Sequence, residues 1–266
     1  MSVLLESAAS GNSSRKFENL ESSIYNPSVN SVSSVVKNLS EVRERIAAAA
    51  SRAGRRPEDI ALMAVSKTFP PEAIREAYQA GQRLFGENRV QEFAEKVGAL
   101  NDLAEAEWHL IGHLQSNKAA KAAELFAAVD SVDSLRLAEK LNAAAQKADK
   151  RLTVLIEVNV GGEAAKSGVA PDSSELEQLL LAVQRLNALQ LRGLMTIPPF
   201  TEDPQGARPF FRRLRELRDQ IGARHLPAIS LDVLSMGMSH DFEVAIEEGS
   251  TCVRVGTAIF GARTKH

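Results

Sequence analysis

The sequence predicts an α/β protein built as a closed (β/α)8 TIM barrel, and three observations predict it. Short apolar runs alternate strictly with longer amphipathic ones from about residue 60 onward, eight of the short runs can be counted, and the pattern occupies roughly 200 of the 266 residues. Strict alternation implies parallel strands joined by helical crossovers, and eight units of this size match a closed barrel. An open doubly wound sheet is the alternative. It would carry a glycine-rich phosphate loop directly after its first strand, where this chain reads "SKTFPP" with no glycine.

Residues 1–34 are rich in Ser and Asn, hold few large apolar side chains and show no sustained period, which predicts a flexible, disordered tail ahead of a single domain over residues 35–266. Glu6, Glu18, Glu21 and the scarcity of arginine argue against a transit peptide. Val36, Leu39, Val42, Ile46 and Ala50 recur every three or four residues and predict a helix over Val35 to Ala53. The first strand is the apolar run Ala61 to Val65, stopped by two prolines and followed by a helix over Pro71 to Ala80. The second runs from Arg83 to Phe85 with a helix over Arg89 to Leu100; the third from Glu107 to Ile111 with a helix over Asn117 to Leu125. Ala127 to Asp130 and Thr153 to Val158 are the fourth and fifth strands, followed by helices over Ser134 to Lys147 and Ser174 to Asn187. Leu189 to Met195 and Leu231 to Leu234 come next, with helices over Pro204 to Ile221 and Ser239 to Glu248, and Thr251 to Val255 closes the ring.

Thirty-two basic against 34 acidic residues supply no global attraction to nucleic acid or an anionic membrane, so an anionic ligand must be met locally. No apolar run reaches membrane-spanning length and no signal peptide opens the chain. The single Cys252 cannot form an internal disulfide and reads as a small buried residue. A cytoplasmic protein is expected.

In such a barrel the loops at the carboxyl ends of the strands build the site. Ser66 and Lys67 follow the first strand, and a lysine at the mouth of an apolar strand has its charged form disfavoured, which makes its amine a nucleophile. The loops "SMGMSHD" and "GTAIFGAR" after strands seven and eight suit a phosphate: Gly237 and Gly256 admit backbone N–H groups, while Ser235, Ser239 and Thr257 offer hydroxyls. Tight turns and a helix cap at Ser239 explain the same residues equally well. Arg254, between Val253 and Val255, projects into the barrel, where it needs either a salt bridge to an acid such as Glu157 or a ligand. By spacing alone Asn88 reads first as a helix cap and second as a ligand contact. His109 and His113 are four apart, but the segment is a strand entering a glycine turn, so no metal site is expected.

Taken in order, Lys67 in "VSK", "GENRVQE", "WHLIGHLQSNK", "GLMTI" and "LSMGMSHDFEVAIEEGSTCVRVGTAIFGAR" closely resemble the pyridoxal phosphate homeostasis proteins of the YggS or PROSC type, over about Val35 to Arg263. The resemblance implies a barrel like the N-terminal domain of alanine racemase and the cofactor pyridoxal 5'-phosphate (PLP), held as a Schiff base on Lys67. It implies that Ser235, Gly237, Gly256 and Thr257 hold the phosphate, with Ser239 as a further candidate. It places Arg254 at the pyridine nitrogen, Asn88 close to the ring and Met195 in the ring's surroundings. The tail is a departure that the family pattern does not explain.

An arginine at the ring nitrogen keeps it unprotonated and makes the ring a poor electron sink. The second acid of a racemase, supplied by a tyrosine of a separate domain in alanine racemase, has no natural candidate in Tyr25 or Tyr78. The sequence therefore predicts a monomeric PLP carrier, not an enzyme, that buffers the aldehyde and delivers it to PLP-dependent apoenzymes. Lys166 is either a helper in that exchange or a plain surface lysine. The alternatives are a PLP-dependent amino-acid racemase with an unrecognised acid such as His109, and an aldolase-like barrel using Lys67 without PLP.

Overall fold

A computed structural model describes residues 33–163 and 166–262. The tail expected over residues 1–34 lies outside the described residues except for its last two. Ser33 caps the first helix, its Oγ accepting from Val36 N at 3.3 Å, and Ser34 opens that helix.

Eight parallel strands close into a barrel in chain order. They are β1 (Ala61–Val65), β2 (Leu84–Glu87), β3 (Glu107–Leu110), β4 (Ala128–Val132), β5 (Leu152–Glu157), β6 (Leu189–Met195), β7 (Ile229–Met238) and β8 (Cys252–Val255). The helices are α1 (Ser34–Arg52), α2 (Pro71–Gln79), α3 (Val90–Lys96), α4 (Ala119–Leu125), α5 (Leu135–Lys147), α6 (Ser174–Val183), α7 (Arg208–Gly222), α8 (Phe242–Glu247) and α9 (Thr257–Phe260). Tight 3-10 turns at Val97–Leu100, Ser116–Lys118 and Pro204–Ala207 take up ends that the sequence pattern assigns to α-helix.

The main apolar core lies between the strands and the helices that cover them. Leu39, Val42, Ile46, Ala49 and Ala50 turn the stripe of α1 onto this layer, where they join Val253 and Val255 of β8 and Ile259 of α9. After β8 only the four-residue α9 follows among the described residues, and α1 packs against α8 and α9 as the helix that completes the ring. A smaller cluster of Met63, Val65, Ile111 and Cys252 fills part of the barrel's interior.

The largest departure from the expected boundaries is at β7, which runs four residues past Leu234. Ser235 pairs with Cys252 and Met238 with Arg254, so three steps along β7 oppose two along β8. This bulge centres on Gly237, with φ +95°, where an added Cβ would lie 2.5 Å from the Ala245 Cβ. The following helix starts three residues later than expected and is short: Asp241, not Ser239, stands at its cap position.

Candidate functional site

A cavity of about 420 Å³ opens at the carboxyl ends of the strands. Lys67, Asn88, His113, Glu157, Arg254 and Thr257 line it from five strands and their loops, joined by Met238, Ser239 and Gly256. Among the described residues no group of His, Cys, Asp or Glu side chains could hold a metal ion, and no helix is long and apolar enough to cross a membrane.

Lys67 sits in a turn closed by Phe69 N donating to Ser66 O at 3.2 Å, with Thr68 in the left-handed region at φ 65°. That conformation is unfavourable for a β-branched residue, and the Thr68 N–H is held by Glu92 Oε1. Beneath it, Ser66 Oγ donates to Glu87 Oε1 at 2.5 Å, and Lys96 Nζ lies 2.7 Å from the same oxygen and donates to Ser66 O at 3.0 Å. Glu87 is fully buried, and desolvation pushes its pKa up against the pull of Lys96 and the Ser66 hydrogen bond. The Lys96–Glu87–Ser66 network ties α3, β2 and the Lys67 turn into one unit. Sequence reading missed it because Glu87 reads as a loop residue, whereas β2 extends to include it.

Across the ring, Arg254 is buried and donates to Ser235 Oγ and to Thr196 O, each at 2.8 Å. Burial lowers its pKa, opposed by the nearby Cys252, Asp130, Glu157 and Asp241. A guanidinium nonetheless keeps its charge in proteins. The alternative salt bridge to Glu157 is not formed within 4 Å; the two interact only at longer range. Ser239 Oγ accepts from Gly256 N at 3.2 Å and Ala258 N at 3.4 Å, which joins the end of β7 to the start of α9. Glu157 closes the far wall. Burial, then repulsion from Asp133, push its pKa to about 7 against the attraction of Arg254 and His113.

The model of the alanine racemase N-terminal domain matches residues 37–264. The pyridoxal phosphate homeostasis protein of Aquifex aeolicus is 49% identical over 227 residues, covering 85% of this chain and 97% of that protein. The chain belongs to the pyridoxal phosphate homeostasis family. A solved relative, PipY of Synechococcus elongatus with PLP bound, superposes with a TM-score of 0.75 at 39% identity, covering 85% of this chain and all of that one. Alanine racemase of Clostridium difficile superposes with a TM-score of 0.63 at 14% identity, over 87% of this chain and 57% of that one, which shows a shared fold.

Of the eight positions expected from the homeostasis family, Lys67, Asn88, Arg254, Gly256 and Thr257 meet at the cavity, while Met195, Ser235 and Gly237 do not line it. The bulge is the reason for the last two: it leaves Ser235 below Arg254 as a hydrogen-bond acceptor and brings Met238 and Ser239 to the rim instead. Met195 is fully buried at the end of β6, paired with Glu157 and Ser235. Asn88 does not cap α3, whose cap position holds Arg89 and has no side-chain bond. It faces the cavity because Gly112 lets the two loops touch; a Cβ there would lie 2.3 Å from Asn88 O. Ser239 likewise does not cap α8. His109 is held inside the barrel between Asp130, 3.1 Å from Nδ1, and Glu107, 3.0 Å from Nε2, and is not at the cavity. Lys166 does line the cavity, paired with Glu163 and donating to Pro198 O at 3.2 Å. Tyr78 lies on α2, its OH accepting from Glu105 N at 3.4 Å and its ring stacked under Arg83.

Proposed function

We propose that this protein binds PLP in the cavity and serves in vitamin B6 homeostasis by buffering the cofactor and handing it to PLP-dependent apoenzymes. The supporting observation is the convergence of Lys67 from β1 with Arg254, Gly256 and Thr257 from β8 and Ser239 from β7 on one opening. That donor set fits the cofactor: an amine for an aldehyde, hydroxyls and backbone N–H groups for a phosphate, and a fixed cation for a ring nitrogen. PLP, when bound, supplies an aldehyde carbon that a primary amine can capture reversibly.

Lys67 provides that amine as a Schiff-base anchor, on a turn whose position is set by Ser66, Glu87 and Lys96. Ser239, Gly256 and Thr257 hold the phosphate, and Asn88 orients the ring from the opposite loop. Arg254, fixed by two hydrogen bonds, disfavours a proton on the ring nitrogen and so weakens carbanion stabilisation. The racemase alternative lacks support at the residue named for it, because His109 is held by Asp130 and Glu107 and does not line the cavity. We therefore favour a carrier over an enzyme, acting as a monomer in the cytoplasm.

The test is the visible absorption spectrum of the full chain with PLP, before and after borohydride, followed by mass mapping of the reduced lysine. A Schiff-base band that reduction fixes onto Lys67, and that Lys67→Ala abolishes, is the expected result. No band after addition of PLP, or reduction onto another lysine, would overturn the proposal. A D-amino acid product dependent on Lys67 would replace the carrier with the racemase.

A further inference from the structure

PLP binding leaves the β5 wall of the cavity without a role. In a closed ring of eight strands β5 stands opposite β1, so Glu157, the last residue of β5, faces the Lys67 turn from the far side. Its side chain lines the cavity yet is only 6% exposed, and its Oε2 is enclosed without a hydrogen-bond partner. A buried acceptor left unmet is costly, and a buried carboxylate more so.

The neighbours that might satisfy it are engaged elsewhere. Arg254 donates to Ser235 and Thr196, His113 Nδ1 lies 3.1 Å from Asp133, and Lys166 is paired with Glu163 and Pro198 O. With these three engaged, the mouth of the cavity is the route by which a further donor can reach Glu157. Glu157 and Asp133 together repel an anion, and a neutral hydroxyl would leave the carboxylate uncompensated. A primary ammonium brings both a positive charge and three N–H donors in a small volume.

We propose that Glu157 is the seat for the ammonium group of a small primary amine, which makes the cavity a two-ligand site. That the amine lies beside PLP rests on the function proposed above; the seat itself does not. The groups facing Glu157 are Asp133 from the segment after β4, His113 from the loop after β3 and Arg254 from β8, while its β6 register partner, Met195, carries no charge.

The experiment is calorimetric titration of the full chain, without added PLP, with ethanolamine at pH 6 and pH 8. Saturable binding that is tighter at pH 8, where Glu157 has released its proton, is expected. Glu157→Gln should weaken it about tenfold or more, the effect of losing one charged hydrogen bond, while Glu157→Asp should retain part of it. Cooperative thermal unfolding of each variant separates a lost seat from a lost fold. Equal affinity in the wild type and Glu157→Gln, or no saturable binding in the wild type, overturns the seat. If either happens while PLP still loads onto Lys67, the cofactor proposal stands alone. If PLP does not load but ethanolamine binding depends on Glu157, the seat stands and the cofactor proposal falls.

Discussion

Glu157 holds its proton to about pH 7, well above the ordinary 4.5, chiefly because burial disfavours its charge. A folded-state pKa raised above the unfolded value means that the native state binds the proton more strongly. The resulting stabilisation is fully present below pH 4.5 and is lost as pH rises through 7. At pH 8 the native state therefore carries a strained carboxylate that weakens it by up to about 3 kcal/mol. Glu157→Gln removes the ionisation and should be more stable than the wild type at pH 8, with the difference shrinking toward zero near pH 4.5. Urea unfolding at the two pH values measures this, and an unchanged pH dependence would contradict it. His109 is different: burial alone would lower its pKa, but Asp130 and Glu107 outweigh it and raise it to about 10. Its contribution is complete below 6.5 and disappears as pH rises through 10, a window that lies mostly above that of Glu157. Cys252, pushed up to about 12 by burial, stays a thiol throughout, in keeping with a small buried residue.

Two loops meet where Gly112 passes Asn88, and that contact is made of backbone. A Cβ on residue 112 would lie 2.3 Å from Asn88 O and 2.9 Å from its Cα, so no side-chain rotation can relieve it. Gly112→Ala should displace Asn88 and weaken PLP retention by about tenfold, a loss near 1.4 kcal/mol. Absorbance titration checks the affinity, and circular dichroism checks that the barrel persists. The strand and helix order was legible in the sequence because alternation and period are local signals, and Lys67, Arg254, Gly256 and Thr257 were legible because each follows or ends a strand. The strand position of Ser235 and Gly237 was not legible because a bulge is a relation between two strands: "SMGM" looks like a loop until β8 supplies the register that makes it an irregular strand. Glu87 and Lys96 went unassigned, and Glu157 was named only as a salt-bridge partner for Arg254, for a similar reason, since burial of a charge depends on what packs over it.

At the scale of the whole barrel, packing over the β8–β1 seam and binding share α1. This helix covers the paired β8–β1 seam from outside, and Asn38 Nδ2 donates to Ile259 O at 2.9 Å, directly behind the α9 turn that carries Thr257. Leu39, fully buried beside that bond, should therefore do more than fill space. Leu39→Ala is expected to cost about 2–5 kcal/mol through the cavity it leaves. It should also loosen the wall of the cavity that carries Gly256 and Thr257 and weaken PLP binding. Ile221 makes the comparison fair: it is similarly buried, but near the end of α7 that leads back to the start of β7, at the opposite end of the barrel from the cavity. Ile221→Ala should lose stability in the same range and keep the wild-type affinity for PLP under conditions where both variants remain folded. Equal affinities for the two variants would mean that α1 covers the β8–β1 seam without bracing the site, and that β7 and β8 alone fix their side of the cavity.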